Sequence, residues 1–258
     1  MKLTRFNHKG TVNYGRLEED RIHELKTGGK DIMPDSFLET GREYSLEEVR
    51  LTAPCMPSKV ICLGLNYRSH AEEMNFPLPK VPIIFLKPST AVIGPQEPII
   101  YPPQSRRVDY EAELGAVIGK KAFKVPPDLA LDYVLGYTCA NDVTARDKQP
   151  AHGQWTYAKG FDTFCPLGPV IETGIEDPEA LAIEGLLNGK KVQASNTSDH
   201  IFSVAKIISF VSACMTLLPG DVILTGTCSG IGPMKPGDIF TVKIATIGEL
   251  SNPVKEES

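Results

Sequence analysis

Two glutamates stand inside a run that otherwise reads as a buried strand. In RVDYEAELGAVIGKK, the residues from Tyr110 to Gly119 are apolar or small apart from Glu111 and Glu113. Strand side chains alternate faces, so residues two apart share a face, with Cα atoms about 6.5–7 Å apart. Asp109 has the same parity. Carboxylates withdrawn from water must be paired or bound to a metal, because an isolated buried charge is strongly unfavourable. A solvated polar face is the plain alternative, but Gly115 and Val117 continue that face with nothing polar. A third acid, Asp142, follows the apolar run YVLGYTCAN, where an acid also suits a helix N-cap. Two glutamates and an aspartate without a nearby Cys or His form an all-oxygen ligand set. Such a set suits Mg²⁺, Mn²⁺ or Ca²⁺ rather than zinc.

A second constellation lies in NYRSHAEEMNF. His70 and Glu73 are three apart, so a helix places them on one side. A carboxylate beside an imidazole orients the ring and raises its basicity, which suits it to activating a water. A surface pair is the plain alternative, and Glu72 is expected to face solvent. The spacing is not H-E-x-x-H, which excludes a zincin. Lys87 ends the apolar run IIFLK, and Lys159 lies in the turn-rich TYAKGFDTFCPLGP. The loop LTGTCSGIGPMKPGD has neither the G-x-G-x-x-G nor the P-loop spacing; it either presents backbone N–H groups to a carboxylate or makes a tight turn.

The elements that must position these groups are mostly short strands. The runs VICLGL, VPIIFL, ELGAVIG, YVLGYTCA, LGPVI, DVILTG and IFTVKI have the length and β-branched content of buried strands. Helical spacing is rarer: NYRSHAEEMN allows about two turns, and IFSVAKIISFVSACMTL precedes a Pro219-Gly220 stop. The 22 glycines and 21 prolines are scattered as turns, and there is no internal repeat. Strands outnumber helices without alternating with them, which favours a mainly β or α+β architecture over a doubly wound one. Residues 1–55 are more polar, and TAPCMPSK reads as a linker to residues 58–258.

Composition narrows the function classes. The 258 residues carry a net charge of −5, and no Lys/Arg block offers a footprint for nucleic acid or a membrane surface. The start, MKLTRFNHKG, lacks the apolar core of a signal peptide, and no apolar stretch approaches the ~20 residues of a membrane helix. The six cysteines (55, 62, 139, 165, 214 and 228) form no C-x-x-C pair and are expected as free buried thiols. A cytoplasmic soluble protein is expected.

Taken in order, GLNYRSHAEE, FLKPST, DYEAELGAVIGK, ANDVTARDKQ, AKGFDTFCPLGP and LTGTCSGIGPMKPGD resemble the fumarylacetoacetate hydrolase family, in the branch of the acylpyruvases and 2-hydroxyhepta-2,4-diene-1,7-dioate isomerases. The resemblance spans residues 58 to about 245. It implies a mixed β-sandwich roll preceded by a small N-terminal α+β domain, assembled as a homodimer. It implies that Glu111, Glu113 and Asp142 bind one Mg²⁺ or Mn²⁺, with Ca²⁺ as a further candidate, and that Lys159 stands beside it. By the same resemblance His70 and Glu73 activate water from a short lid helix. Tyr67, Lys87, Arg146, Gln149 and Thr227 bind substrate, and Asn66 helps to place the lid. Two residues depart from the family pattern: Cys228 replaces a usual proline, and Ser69 stands where many relatives have Asp.

The implied activity is hydrolytic C–C cleavage of a small acylpyruvate or fumarylacetoacetate-like diketo acid. In that reaction the ion acts as a Lewis acid on an enolate, with Lys159 and Arg146 adding positive charge. Isomerisation or tautomerisation of a 2-hydroxydienoate diacid, or decarboxylation of oxaloacetate, would use the same site. A non-catalytic Ca²⁺-binding β-protein is the reading from another class, but it would not need His70, Glu73 and Lys159.

Overall fold

The computed structural model describes residues 1–28, 32–150 and 154–257. Each of the seven apolar runs forms a strand. Strands Cys165–Glu172, Val134–Asn141, Ala112–Ile118, Val222–Thr227, Val60–Gly64 and Ile83–Lys87 lie side by side in that order in the largest sheet. All these pairings are antiparallel except that of Val222–Thr227 with Val60–Gly64. The N-terminal strands Lys2–His8, Thr11–Glu18, Arg21–Thr27 and Phe37–Ser45 extend the same sheet, because Lys2–His8 pairs with Cys165–Glu172. Among the described residues of 1–55 there are strands and two 3₁₀ turns but no α-helix, so the expected α+β character there is realised almost wholly as β.

The period of two sorts the central strand between two cores. Leu114, Ala116 and Ile118 point into one cluster with Ile183, Phe240 and Val242 of a five-stranded sheet, and with Ile207, Ile208 and Val211 of the helix Val204–Cys214. Val117 points the other way, into a cluster with Val60, Cys62, Phe85 and Leu224. Both faces of the strand are therefore covered, which explains its nearly unbroken apolar reading. Glu113 shares the parity of Val117, so its carboxylate enters a dry layer rather than solvent. Helix Val204–Cys214 begins at Ser203, whose hydroxyl accepts the Lys206 N–H, and ends before Pro219-Gly220. No helix among the described residues is long and apolar enough to cross a membrane.

Candidate active site

Glu111 occupies the single residue between two strands that belong to different sheets. Val108–Tyr110 pairs with Thr144–Ala145 and Gly232–Met234 in a three-stranded sheet, whereas Ala112–Ile118 belongs to the largest one. The Glu111 N–H donates to Asn141 Oδ1 at 3.0 Å, and its carbonyl accepts the Asp142 N–H at 2.9 Å. These bonds and the Ala112–Asn141 register carry Asp142 to the side of the two glutamates. Carboxylate oxygens of Glu111, Glu113 and Asp142 lie within 4.8 Å of one another, and all three residues are buried. Asp142 does not cap a helix; its carboxylate accepts from two lysines.

Three cationic side chains contact this cluster. Lys159, the last residue of the short helix Thr156–Lys159, donates to Glu111 Oε2 at 2.8 Å and to Asp142 Oδ2 at 2.6 Å. Lys87 donates to Asp142 Oδ1 and to the Val143 carbonyl. Arg146 reaches Glu111 Oε1, Gln149 Oε1 and, at 2.8 Å, Asp109 Oδ2. Asp109, fully buried, also accepts two bonds from Arg107. It is therefore a structural acid that holds Arg146 in place, not a solvated one.

The two glutamates are shifted in opposite directions. Burial alone would raise the Glu111 pKa, but Lys159 and Arg146 override it and hold Glu111 below the ordinary carboxylate range. Burial raises Glu113 well above that range, and the neighbouring Asp142 and Glu111 charges push it further. Among the described residues its one hydrogen bond comes from the Gly226 N–H at 2.7 Å. Burial also disfavours the Lys159 ammonium, yet Asp142 and Glu111 outweigh it and keep the amine protonated. Three buried carboxyls whose oxygens converge within 4.8 Å form an all-oxygen set that fits a hard divalent ion.

A cavity of about 260 Å³ opens beside the cluster. Glu111, Arg146, Gln149, Lys159, Thr227 and His70 supply its polar lining. Leu63, Met74, Phe76, Pro150 and Trp155 are among its apolar residues, and Trp155 lies so close to the strand that a Cβ on Gly64 would meet its ring at 2.5 Å. His70, on the helix Arg68–Glu73, is 7% exposed, and its Nδ1 lies 2.8 Å from Glu73 Oε2. The other Glu73 oxygen accepts the Gly230 N–H at 2.9 Å.

The fumarylacetoacetate (FAA) hydrolase C-terminal family matches residues 59–255, and the Rv2993c-like N-terminal family matches residues 1–54. The chain belongs to the fumarylacetoacetate hydrolase family. It is 46% identical to the mitochondrial oxaloacetate tautomerase of Xenopus laevis over 86% of this chain and 76% of that one. The 2-hydroxyhepta-2,4-diene-1,7-dioate isomerase structure from Mycobacterium marinum superposes with a TM-score of 0.90 at 42% identity, covering 100% of this chain and 99% of that one. The maleylpyruvate hydrolase of Sphingobium, solved with manganese(II) and pyruvate, superposes with a TM-score of 0.83 at 30% identity over 100% of both chains.

Within this family member, not every motif residue reaches the cavity. Lys87 and Tyr67 lie outside its lining and are buried at 1% and 0% exposure. Lys87 acts on Asp142, and the Tyr67 ring packs edge-on against His200, with centroids 4.7 Å apart. Asn66 bonds to Phe202 and to the Thr225 carbonyl, at the root of the helix Arg68–Glu73. Cys228 is buried, its carbonyl accepting from Gln193. Cys214 is the exposed thiol among the six, against the expectation that all would be buried.

Sequence reasoning missed Gln193. Its Oε1 accepts the Ala112 N–H at 2.9 Å, and its Nε2 donates to Thr227 Oγ1 and the Cys228 carbonyl, each at 2.9 Å. It thereby fastens the glycine loop to the glutamate strand from 81 residues away, and no local pattern announces that.

Proposed function

We propose that the chain is a divalent-metal-dependent enzyme that moves a proton at the carbon next to the oxo group of a small 2-oxo carboxylic acid, as a keto–enol tautomerase or double-bond isomerase. The observation that carries this reading is that His70, backed by Glu73, lines the same small cavity as Glu111, Lys159, Arg146 and Thr227. Glu111, Glu113 and Asp142 would hold Mg²⁺ or Mn²⁺; when bound, the ion supplies Lewis-acid stabilisation of enolate charge. Arg146, Gln149 and Thr227 orient the substrate's carboxylate and oxo group, and Lys159 adds a fixed positive charge where the oxyanion develops. With His70 Nδ1–H donating to Glu73, Nε2 carries the lone pair and takes the proton from C3. For tautomerisation the imidazolium gives that proton to the enolate oxygen, and the reverse order turns enol into keto acid. For isomerisation it gives it to a carbon further along the conjugated chain.

The similarity to a tautomerase at 46% identity and to an isomerase at 42% supports proton transfer as the first reading. The more distant likeness to a maleylpyruvate hydrolase supports a second. In that one, His70 takes the proton of a water that adds to the distal carbonyl of an acylpyruvate. The C–C bond breaks, giving a carboxylic acid and, after protonation, pyruvate. Oxaloacetate decarboxylation is a further use of the same site. Family membership removes the support for a non-catalytic Ca²⁺-binding protein.

Division of the chain at residues 1–55 and 58–258 belongs to the same proposal, supported by the separate family matches at 1–54 and 59–255. A homodimer does too; a second copy would cover the exposed Met74, Phe76, Leu78, Val81, Ile83 and Leu86. The test is a screen with Mg²⁺ or Mn²⁺ over enol oxaloacetate, a 2-hydroxydienoate diacid, acetylpyruvate and fumarylpyruvate. Proton transfer consumes the enol without releasing pyruvate, whereas cleavage releases it. Full activity in His70→Ala on every substrate would overturn the base assignment.

A further inference from the structure

A helix of six residues cannot hold itself in water, because helix nucleation is unfavourable and only a turn or two follows it. The position of the His70–Glu73 pair must therefore be set from outside the helix Arg68–Glu73. Within one chain the segment after it packs little, since Met74, Phe76, Leu78 and Val81 are all exposed there. At the outer end, one bond from Gly230 to Glu73 fixes the carboxylate.

The inner end is fixed much more firmly, by a loop far away in sequence. Asp199 Oδ2 accepts the Ser69 N–H at 3.0 Å. Arg68 Nη1 donates to the carbonyls of Asp199 and His200, at 3.1 and 2.6 Å. Tyr67 forms an antiparallel bridge with His200. This loop is itself anchored. One Glu179 oxygen lies 2.8 Å from His200 Nδ1, and the other accepts the Val204 N–H at 2.7 Å. Asn66 adds bonds to Phe202 on both sides of its amide. The helix that carries the base is thus docked on the start of the helix Val204–Cys214.

We propose that Asp199 is a positioning residue for the His70 base, acting through its cap on the Ser69 N–H, with Arg68 locking the same loop from the other side. Neither residue is among those lining the cavity, so both act through His70 and Glu73. The inference rests on the reading of His70 as the base. It also gives Ser69 a part: the backbone N–H at that position is the group the loop grips.

The test uses the full chain loaded with Mn²⁺, enol oxaloacetate as substrate, and amide hydrogen exchange as a readout that does not depend on turnover. Asp199→Ala should lower kcat at least ~10-fold, since a misplacement of 1 Å can cost up to ~10²-fold. KM should change little, because Arg146, Gln149, Thr227 and Lys159 are untouched. Residues 68–74 should exchange faster while Ala112–Ile118 stays as slow as before. Asp199→Asn, which keeps an acceptor oxygen, should recover most of kcat. Arg68→Ala, at an exposed position, should repeat the effect on exchange. Unchanged exchange at 68–74 in both alanine variants overturns the proposal, as does a uniform acceleration over the whole chain. Activity that survives His70→Ala would instead overturn the reading of the base, while the exchange data would still test the docking.

Discussion

Glu113 accepts the Gly226 N–H at 2.7 Å from a glycine with φ +99°, a conformation that L side chains rarely adopt. A Cβ on Gly226 would also meet the Asn66 Cβ at 2.8 Å. Gly226→Ala should therefore lose about 1–3 kcal/mol of stability, the usual range for forced backbone strain. It should also weaken Mn²⁺ binding by displacing the donor that orients Glu113. Urea unfolding and calorimetric titration of the ion check the two effects separately.

Removing one carboxylate charge tests the ion site directly. Glu111→Gln should abolish measurable Mn²⁺ binding and turnover, because it also leaves Lys159 and Arg146 without a shared anion. Wild-type affinity in a titration of this variant would rule out the assignment of the site.

Gln193→Ala removes three bonds at once, from Ala112 N–H, Thr227 Oγ1 and the Cys228 carbonyl. Each buried polar group left without a partner costs about 1–3 kcal/mol, so a clear drop in the unfolding midpoint is expected. Turnover should fall as well, since Thr227 lines the cavity. A variant with the parent's stability would show that water replaces the amide without loss.

Thiol reactivity should separate one cysteine from five. Burial pushes Cys55, Cys139, Cys165 and Cys228 up to about 12 and raises Cys62 well above its usual value. Since the thiolate is the nucleophile, a pKa near 12 leaves only ~10⁻⁴ of it at pH 8. Mass spectrometry after iodoacetamide treatment of the native protein at pH 8 should find Cys214 alkylated and the rest intact. In denaturant all six should react.

The proposed homodimer has a mass signature. Sedimentation equilibrium should return twice the 28.2 kDa of one chain, and charged substitutions at Leu78 and Val81 should lower it. A single-chain mass at micromolar concentration would sink the dimer.

Much of this molecule was legible in one dimension. All seven apolar runs became strands because each is short, β-branched and bounded by turn residues, which are local properties. Glu113 could be placed from parity alone, since Val117 shows which face that parity serves. Lys87 and Tyr67 are harder to place, for the opposite reason. Their motif puts them near the site, but whether a side chain lines a cavity or supports it from behind is decided by distant packing. Lys87 turns inward because Asp142 arrives from 55 residues away. Asp109 looked ambiguous because its partner Arg146 lies 37 residues further on. Asp199 is 130 residues from the N–H it caps, beyond the reach of any spacing rule.

The place of Glu111, alone between two strands that run into different sheets, has a mechanical meaning. Its backbone is gripped by Asn141 of the larger sheet and by Asp142 just after it, while Arg146 ties its carboxylate to Asp109 of the smaller sheet. Anything that binds that carboxylate pulls on both layers at once. A cation seated there would act as a rivet through the seam, so that occupancy of the site and cohesion of the whole β-structure would rise and fall together.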